Sequence, residues 1–560
     1  MIREDVVNRW NEKVTDPIVR EQLDALLNAN DESAIDDAFF QDLEFGTAGL
    51  RGVIGAGTNR MNVYTVGKAT MGVAAYLNST FSEPTVAIAR DSRNMGNEFV
   101  HHTARILASQ GIKSFIYPRI EPVPALSFAV RHLGTSAGIC MTASHNPAEY
   151  NGYKVYGADG CQITSDAASN ISAAIAGIDE FSTLEMASFE EYEEQGLITW
   201  IDDSVITAFI DAELEASMAD PDASDVSLKL VYTPLNGSGL ECNSLMFERI
   251  GVTDVTVVEE QAEPNGDFPT CPYPNPEIRE AMEKGIETCE RVHPDLLLAT
   301  DPDADRVGIA VKNGGDYQLL TGNEVGILML DYLCRMRSKA GKLPSDAVAV
   351  STIVSTVMID KIAAHWGVRI QRTLTGFKYI GNVITDLVNA GREEAYVLGF
   401  EESYGYLAAT HVRDKDSICA SMIICQMAQH YRKRGMNLAQ AIEELYREYG
   451  YFRNKTVSIS FPGADGARKM AGIMSTLRTQ APSEIAGYPV QEVIDYQDGY
   501  NDLPKANVLE FRLPNMNKVI IRPSGTEPKI KAYLFSNGET AELADELTGK
   551  LEAAARELLS

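Results

Sequence analysis

Three short segments of this chain carry residue types that would do chemistry together. Ser144 lies in the loop 142–147, directly after the apolar run 138–141. Three aspartates alternate in residues 301–306, and residues 522–529 form a turn rich in cations and hydroxyls. A hydroxyl nucleophile, carboxylates for a hard cation and an anion-binding turn are different parts of one reaction. Their combination predicts phosphoryl transfer.

Ser144 is the candidate nucleophile, although a serine hydroxyl reacts poorly unless a base or a phosphoryl group changes its state. His145 is adjacent, but neighbouring side chains on an extended loop point apart, which argues against a Ser–His dyad. Ser136 lies in a G-x-S-x-G segment, 134–138. That hydrolase motif requires a strand before it and a helix after it. Here the order is reversed, so Ser136 is not predicted to be a nucleophile.

Asp301, Asp303 and Asp305 are the candidate metal ligands. On a curved loop three such carboxylates converge on one hard cation, and Mg²⁺ prefers oxygen ligands of this kind. An EF-hand loop also begins D-x-D-x-D, but it requires Gly at its sixth position and Glu at its twelfth. This chain has Arg306 and Lys312 there, so a calcium loop is not predicted.

The turn at residues 522–529 has the composition of an anion-binding nest. Gly525 exposes backbone N–H groups, and the side-chain donors that surround it are Arg522, Ser524, Thr526 and Lys529. A second polar segment, residues 401–403, offers carboxylates at Glu401 and Glu402 and a hydroxyl at Ser403. These groups suit sugar hydroxyls, although a charged surface turn would have the same composition.

The elements that must position these loops alternate between strand-like runs and helical stretches, which predicts α/β domains. The runs are 85–89, 138–141, 228–232, 254–258, 296–300, 347–353 and 395–399. Asp91, Ser144, Asp301 and Glu401 each follow such a run. Ligand sites in α/β sheets lie at the carboxyl ends of strands. Residues up to about 40 are predicted to be helical, and the segment after 519 is predicted to be strand–loop–strand–helix, with Thr540 as the N-cap.

Length, charge and cysteine usage exclude several classes of protein. A chain of 560 residues predicts three or four domains, with boundaries near 205, 322 and 452. The net charge of −30 disfavours binding to nucleic acid or to a membrane. An anionic substrate therefore requires a local patch of cations. No secretory signal or membrane-spanning run is present, and the eight scattered cysteines form no C-x-x-C pair, so a cytoplasmic protein is expected.

With these residues established, the chain resembles the α-D-phosphohexomutase superfamily over nearly its whole length. Residues 142–147 are similar to its phosphoserine loop, 301–306 to its metal loop, 399–405 to its sugar loop and 522–529 to its phosphate-binding loop. The D-P-D-A-D-R, G-F-E-E-S-Y-G-Y and R-P-S-G-T-E-P-K segments resemble the phosphoglucomutase/phosphopentomutase branch. The sugar loop has no histidine, so the catalytic histidine that another branch carries there is not transferred.

The resemblance implies four domains around a central cleft: three related α/β domains, 1–205, 206–322 and 323–452, and a smaller α+β domain, 453–560. It also implies that Ser144 is phosphorylated and that one Mg²⁺ per chain binds Asp301, Asp303, Asp305 and an oxygen of that phosphoserine. Catalytic roles are implied for Lys154, Lys378, Arg51 and His145. Substrate contacts are implied for Arg306, Glu401, Ser403 and the turn at 522–529.

The activity implied is interconversion of glucose 1-phosphate and glucose 6-phosphate in carbohydrate metabolism, with glucose 1,6-bisphosphate as intermediate and activator. The alternatives are a phosphopentomutase acting on ribose 1-phosphate, a dual-specificity mutase, a Mg²⁺-dependent phosphatase and a sugar-phosphate sensor without turnover. The partner expected is a phosphosugar, and the chain is expected to be a monomer or a weak homo-oligomer.

Overall fold

The structure is a computed structural model that describes residues 3–46, 49–182, 186–461, 463–524 and 529–560. Its helices are α1 Glu4–Lys13, α2 Pro17–Asn28, α3 Glu32–Phe39, α4 Val63–Thr80, α5 Gly96–Ser109, α6 Val123–His132, α7 Ser165–Ala176, α8 Phe189–Glu194, α9 Asp203–Glu215, α10 Leu240–Arg249, α11 Glu259–Ala262, α12 Arg279–Val292, α13 Gly322–Lys339, α14 Met358–Trp366, α15 Phe377–Asn389, α16 Ser417–Lys433, α17 Leu438–Tyr449, α18 Gly463–Thr479 and α19 Ala541–Leu558.

Within these described residues, the strands build four main sheets and one short hairpin. They are β1 Gly49–Val53, β2 Thr85–Arg90, β3 Lys113–Ile116, β4 Ala137–Met141, β5 Tyr150–Gly157, β6 Ile198–Trp200, β7 Lys229–Thr233, β8 Asp254–Val257, β9 Leu296–Thr300, β10 Val307–Asn313, β11 Asp316–Leu320, β12 Val348–Thr352, β13 Arg369–Thr373, β14 Tyr396–Phe400, β15 Tyr406–Leu407, β16 Tyr451–Ser460, β17 Glu484–Ile485, β18 Tyr488–Pro489, β19 Glu492–Asp495, β20 Leu509–Arg512, β21 Lys518–Pro523 and β22 Lys529–Gly538.

The first three sheets share one design, a set of parallel strands extended by antiparallel strands at one edge. Their strand orders are β1-β5-β4-β2-β3-β6, β11-β10-β9-β7-β8 and β13-β12-β14-β15. In each, the parallel strands end at a hairpin: β4 pairs antiparallel with β5, β9 with β10 and β14 with β15. Each of the three sheets therefore has a hairpin loop at the same place in its design. The predicted α/β class is confirmed.

The fourth sheet differs because all its pairings are antiparallel, in the order β16-β22-β21-β20-β19. Helices α18 and α19 accompany it, so this part is α+β, as predicted. Thr540 caps α19, accepting a hydrogen bond from the N–H of Leu543. The four sheets agree with the predicted four-domain architecture, while the boundaries near 205, 322 and 452 stay predictions.

The loops that carry the candidate site residues are the hairpins of the first three sheets. Each contains a non-glycine residue in the left-handed region: Ser144 with φ 54°, Ala304 with φ 50° and Tyr404 with φ 65°. Such residues cost free energy unless the surroundings hold them. The hairpins are therefore held in one conformation, and their side chains point in fixed directions.

The cores agree with the apolar runs in the sequence. One cluster joins the first three sheets, for example through Leu126, Leu298 and Leu398, and a second joins the third sheet to the fourth through Leu374 and Ile520. The N-terminal segment forms three helices, confirming the helical prediction. All eight cysteines are buried and free. Among the described residues, no helix has both the length and the apolar character needed to cross a bilayer.

Candidate active site

The hairpins of the first and second sheets meet at Ser144. Its Oγ lies 3.1 Å from Oδ2 of Asp301, and the side chain is buried. The Ser144 N–H donates to Oγ1 of Thr142 at 2.8 Å, and that hydroxyl in turn donates to Oδ2 of Asp303 at 3.1 Å. The candidate nucleophile is thus fixed against the aspartate loop by its backbone and by its side chain.

The expectation that Ser144 and His145 point apart is wrong. Ser144 Oγ lies 3.2 Å from Nδ1 of His145, because Ser144 adopts a left-handed conformation rather than an extended one. Burial, helped by the nearby Arg306 and Arg51, lowers the pKa of His145 well below its usual value. The imidazole is therefore neutral at physiological pH and either donates to the serine oxygen or accepts from it, depending on its tautomer.

Asp301, Asp303 and Asp305 converge as predicted. Their carboxylate oxygens lie within 4.8 Å of one another, and all three side chains are buried. Asp301 Oδ1 accepts from the backbone N–H groups of Asp305 and Arg306. Oδ1 of Asp303 and Oδ1 of Asp305 are buried without a hydrogen-bond partner among the described residues. Unpartnered buried carboxylate oxygens are costly, and a hard cation would satisfy them, so this donor set fits a metal site.

Two ammonium groups neutralise part of this acidic cluster. Lys154 Nζ lies 2.7 Å from Oδ2 of Asp303 and 3.3 Å from Oδ2 of Asp305, and Lys415 Nζ lies 3.0 Å from Oδ2 of Asp305. Burial acts to lower the pKa of Lys154, but the two aspartates raise it above its ordinary value. Burial together with Asp303 and Asp305 raises the pKa of Asp301. Further positive charge would therefore stabilise the three ionised carboxylates.

Lys415 is a site residue that the sequence analysis missed. It also contacts Asp414 at 3.0 Å. The alternating charges of residues 413–416 were the available signal. A charge run usually indicates a solvated surface, whereas here Lys415 is buried, with a relative exposure of 7%.

Two arginines that the sequence analysis assigned to the site lie in or next to the serine and aspartate loops. Nη1 of Arg306 donates to Oε1 of Glu277 at 2.8 Å, so one end of its guanidinium is bound by a residue from the segment that precedes α12. Arg51, on β1, reaches Oδ1 of Asn146 in the serine loop at 3.3 Å. Arg306 therefore lies beside the aspartates, and Arg51 lies beside the serine loop.

The third hairpin places Glu401 next to the segment that carries Lys378. Glu401 is buried, and its Oε1 accepts from the N–H of Gly376 at 2.7 Å. Burial raises its pKa, an effect that Lys415 and Arg306 oppose. Lys378 lies in the first turn of α15, and burial lowers its pKa. Ser403 is partly exposed in the same hairpin.

The segment predicted to bind an anion lies between β21 and β22. Arg522 lies on β21, Lys529 begins β22, and the N–H of Ser524 donates to the carbonyl of Lys529 at 2.8 Å. Burial raises the pKa of Tyr533 to about 12, and its surroundings include Glu402 and Arg522. The fourth sheet thus faces the third hairpin. The predicted ligands Gly525 and Thr526 lie outside the described residues.

A second group with metal-ligating residue types lies elsewhere, between α9 and the segment before α16. It consists of Glu213, His411 and Asp416. Glu213 Oε1 and His411 Nε2 are hydrogen-bonded at 2.7 Å, and Oδ1 of Asp416 caps α16. Burial raises the pKa of Glu213 to about 7. The Glu213–His411 bond links α9 to the segment that precedes α16.

Comparison with known proteins agrees with this architecture. The chain matches the phosphoglucomutase/phosphomannomutase alpha/beta/alpha domains I, II and III at residues 42–182, 207–315 and 321–449. A phosphoglucomutase of Staphylococcus haemolyticus is 36% identical over 90% of this chain and 92% of its own. One from Staphylococcus saprophyticus is 34% identical over 97% and 98%.

Solved structures share the fold. The Paramecium phosphoprotein pp63/parafusin, a phosphoglucomutase in its open form, superimposes with a TM-score of 0.69 at 18% identity, covering 92% of this chain and 95% of its own. Four domains of this design are those of the α-D-phosphohexomutase superfamily, and the chain belongs to the phosphoglucomutase/phosphomannomutase family. The relatives place it on the phosphoglucomutase branch.

Proposed function

We propose that this protein is a phosphoglucomutase, which interconverts α-D-glucose 1-phosphate and glucose 6-phosphate through a phosphorylated Ser144 and glucose 1,6-bisphosphate. The observation that carries the proposal is the contact of Ser144 Oγ with Asp301, within the convergent aspartates. The phosphoglucomutase relatives support the same activity. A bisphosphate that escapes leaves the serine unphosphorylated, so added glucose 1,6-bisphosphate would act as an activator.

Asp301, Asp303 and Asp305, with an oxygen of phosphorylated Ser144, would hold one Mg²⁺. Phosphorylation adds about −1.5 to −2 charges next to three buried carboxylates. The lysines that contact this cluster, Lys154 and Lys415, offset only part of that charge. When bound, Mg²⁺ supplies the remaining neutralisation of the phosphoryl oxygens.

Two lysines have opposite pKa shifts, which suit opposite proton-transfer roles. Lys154 keeps its proton because Asp303 and Asp305 raise its pKa. It is therefore the candidate acid that protonates the Ser144 oxygen as the phosphoryl group leaves. Burial lowers the pKa of Lys378, so this amine is the candidate base for the attacking sugar hydroxyl. His145 and Arg51 would position the phosphoserine.

The reaction requires the bisphosphate to turn end for end, so one clamp must hold either phosphate. Arg522 is its candidate main ligand, since a guanidinium binds phosphate with two parallel hydrogen bonds. Arg306 and the other predicted ligands of the turn would assist it, namely Ser524, Gly525, Thr526 and Lys529. Glu401 and Ser403 would hold two sugar hydroxyls that exchange places on turning. This local set of cations offsets the repulsion that a net charge of −30 exerts on an anionic substrate.

The sugar is tested by a panel of 1-phosphates of glucose, mannose, glucosamine and ribose, each with a trace of its bisphosphate. We expect glucose 1-phosphate to have the highest kcat/KM. A site that hydrogen-bonds a hydroxyl discriminates strongly against analogues that lack it, because the site's own buried polar groups are left unpaired. Glu401→Gln, with the same panel, should reduce the preference over ribose 1-phosphate. A clear preference for ribose 1-phosphate in the unmodified protein would assign a phosphopentomutase instead.

A further inference from the structure

The serine loop encloses one arginine that the sequence analysis did not select. The guanidinium of Arg93 donates to four backbone carbonyls of this loop. Nη2 donates to the carbonyls of Ser144, at 2.7 Å, and of Asn146. Nη1 donates to those of Pro147, at 2.7 Å, and of Tyr150, at 2.9 Å. Two nitrogen atoms thus fix the chain from the nucleophile to the start of β5.

Asp91 fixes the position of Arg93. Its side chain has no solvent exposure, and its Nε faces Oδ2 of Asp91 at 3.4 Å, which is equally buried. The N–H of Arg93 also donates to Oδ1 of Asp91 at 2.9 Å. Asp91 follows β2, the parallel neighbour of β4. The serine loop is therefore braced against the adjacent strand of its own sheet.

The same guanidinium contacts the second sheet's segment. The ring of Phe268 lies 5.1 Å from its central carbon, within the range of a cation–π interaction. Next to it, Asn94 Nδ2 donates to Oδ1 of Asp267 at 2.7 Å. A side chain at Gly266 would collide with the backbone of Asn94 at 2.6 Å. Arg93 therefore lies where the serine loop meets the part of the chain that also carries the aspartates.

These contacts can stabilise the unfavourable backbone conformation of Ser144. Ser144 has a left-handed backbone that a non-glycine residue adopts only when its surroundings impose it. The carbonyls bound by Arg93 belong to Ser144 itself and to residues that follow it in the chain. A misplacement of the nucleophile by about 1 Å costs on the order of 10²-fold in rate.

We propose that Arg93 is a positioning residue, which holds the Ser144 turn in its left-handed form and sets its distance from Asp301. This inference rests on the proposed phosphoserine chemistry and adds a residue to it. Arg93 touches no substrate; it acts through the loop that carries the phosphoryl group.

The test is Arg93→Lys, in the full-length protein with Mg²⁺. Lysine keeps the charge but loses the planar fork that reaches four carbonyls. We expect kcat to fall ~10²-fold while KM for glucose 1-phosphate changes less than about twofold, because only the phosphoryl donor moves. The matched control is Arg105→Lys. Arg105 lies in the same sheet's segment and also donates to a backbone carbonyl, that of Ala187, and its replacement should leave both constants within about twofold.

A role in stability alone is separated by a single-turnover assay. Wild type and variant are matched for phosphate on Ser144 by intact mass and then mixed with glucose 1-phosphate. A merely destabilised protein transfers at the wild-type rate from its folded fraction, whereas a misplaced serine transfers ~10²-fold more slowly. If Arg93→Lys does not fold, Phe268→Leu is tested in its place. Loss of the ring contact with Arg93 should slow phosphoryl transfer from Ser144 by at least ~3-fold.

Wild-type transfer rates in the folded variant would overturn the inference. The proposed function would still stand in that case if Ser144→Ala is inactive. Activity in Ser144→Ala would instead refute the phosphoserine chemistry itself, whatever Arg93 does. The two failures are therefore distinguishable.

Discussion

Ser144→Ala is expected to lose at least ~10³-fold in turnover, or about 4 kcal/mol of transition-state stabilisation. The reason is that this hydroxyl is the proposed carrier of the phosphoryl group and lies 3.1 Å from Asp301. Intact mass should show one phosphate on the purified wild type after incubation with glucose 1,6-bisphosphate, and none on the variant. The aspartates and lysines remain in place, so substrate binding should change far less than turnover.

The matched control is Ser136→Ala. Ser136 lies between α6 and β4, the reverse of the order that a nucleophile elbow requires. Its Oγ accepts from the N–H of Thr85 at 3.3 Å. Its loss should leave both turnover and the phosphate on the protein unchanged. Near-normal turnover of Ser144→Ala would contradict the covalent mechanism.

Asp303→Asn should reduce kcat by ~10²-fold or more and raise the Mg²⁺ concentration needed for half-maximal activity. Asp303 offers the cluster a buried Oδ1 that has no hydrogen-bond partner in the described part of the chain, while its Oδ2 binds Lys154 and Thr142. Asparagine removes one negative charge and replaces one oxygen with a donor. Mg²⁺ titrations of activity and of heat of binding measure both effects.

The control for burial is Asp331→Asn. Asp331 is fully buried, but it accepts hydrogen bonds from Trp366 and Arg335. Its replacement should lower the melting temperature without changing the Mg²⁺ dependence of the folded protein. Activity of the wild type that persists unchanged in a strong chelator would refute the metal's role.

Much of the fold could be predicted because it rests on local sequence. The run 296–300 is apolar at nearly every position, and it is β9, buried throughout. Parallel strands that are covered on both faces require such runs. Asp301 and Glu401 directly follow apolar runs, so their location at strand ends could be predicted as well.

The missed features depend on long-range contacts. The Ser144–His145 contact requires a left-handed φ, which Arg93 imposes from 51 residues away. A sequence pattern cannot show that an arginine will bind four carbonyls of a distant loop. Lys415 was missed because residues 413–416 are charged, and only burial beside Asp305 shows them to be internal.

The measurement that tests the proposed mutase chemistry most directly is a single turnover of the phosphorylated protein. Protein labelled on Ser144 with ³²P is mixed with unlabelled glucose 1-phosphate and Mg²⁺, and the label is followed by rapid quenching. The account predicts that the label leaves Ser144 and appears first in glucose 1,6-bisphosphate, then in glucose monophosphates. Release of the label as inorganic phosphate would identify a phosphatase, and label that stays on Ser144 would contradict phosphoryl transfer altogether.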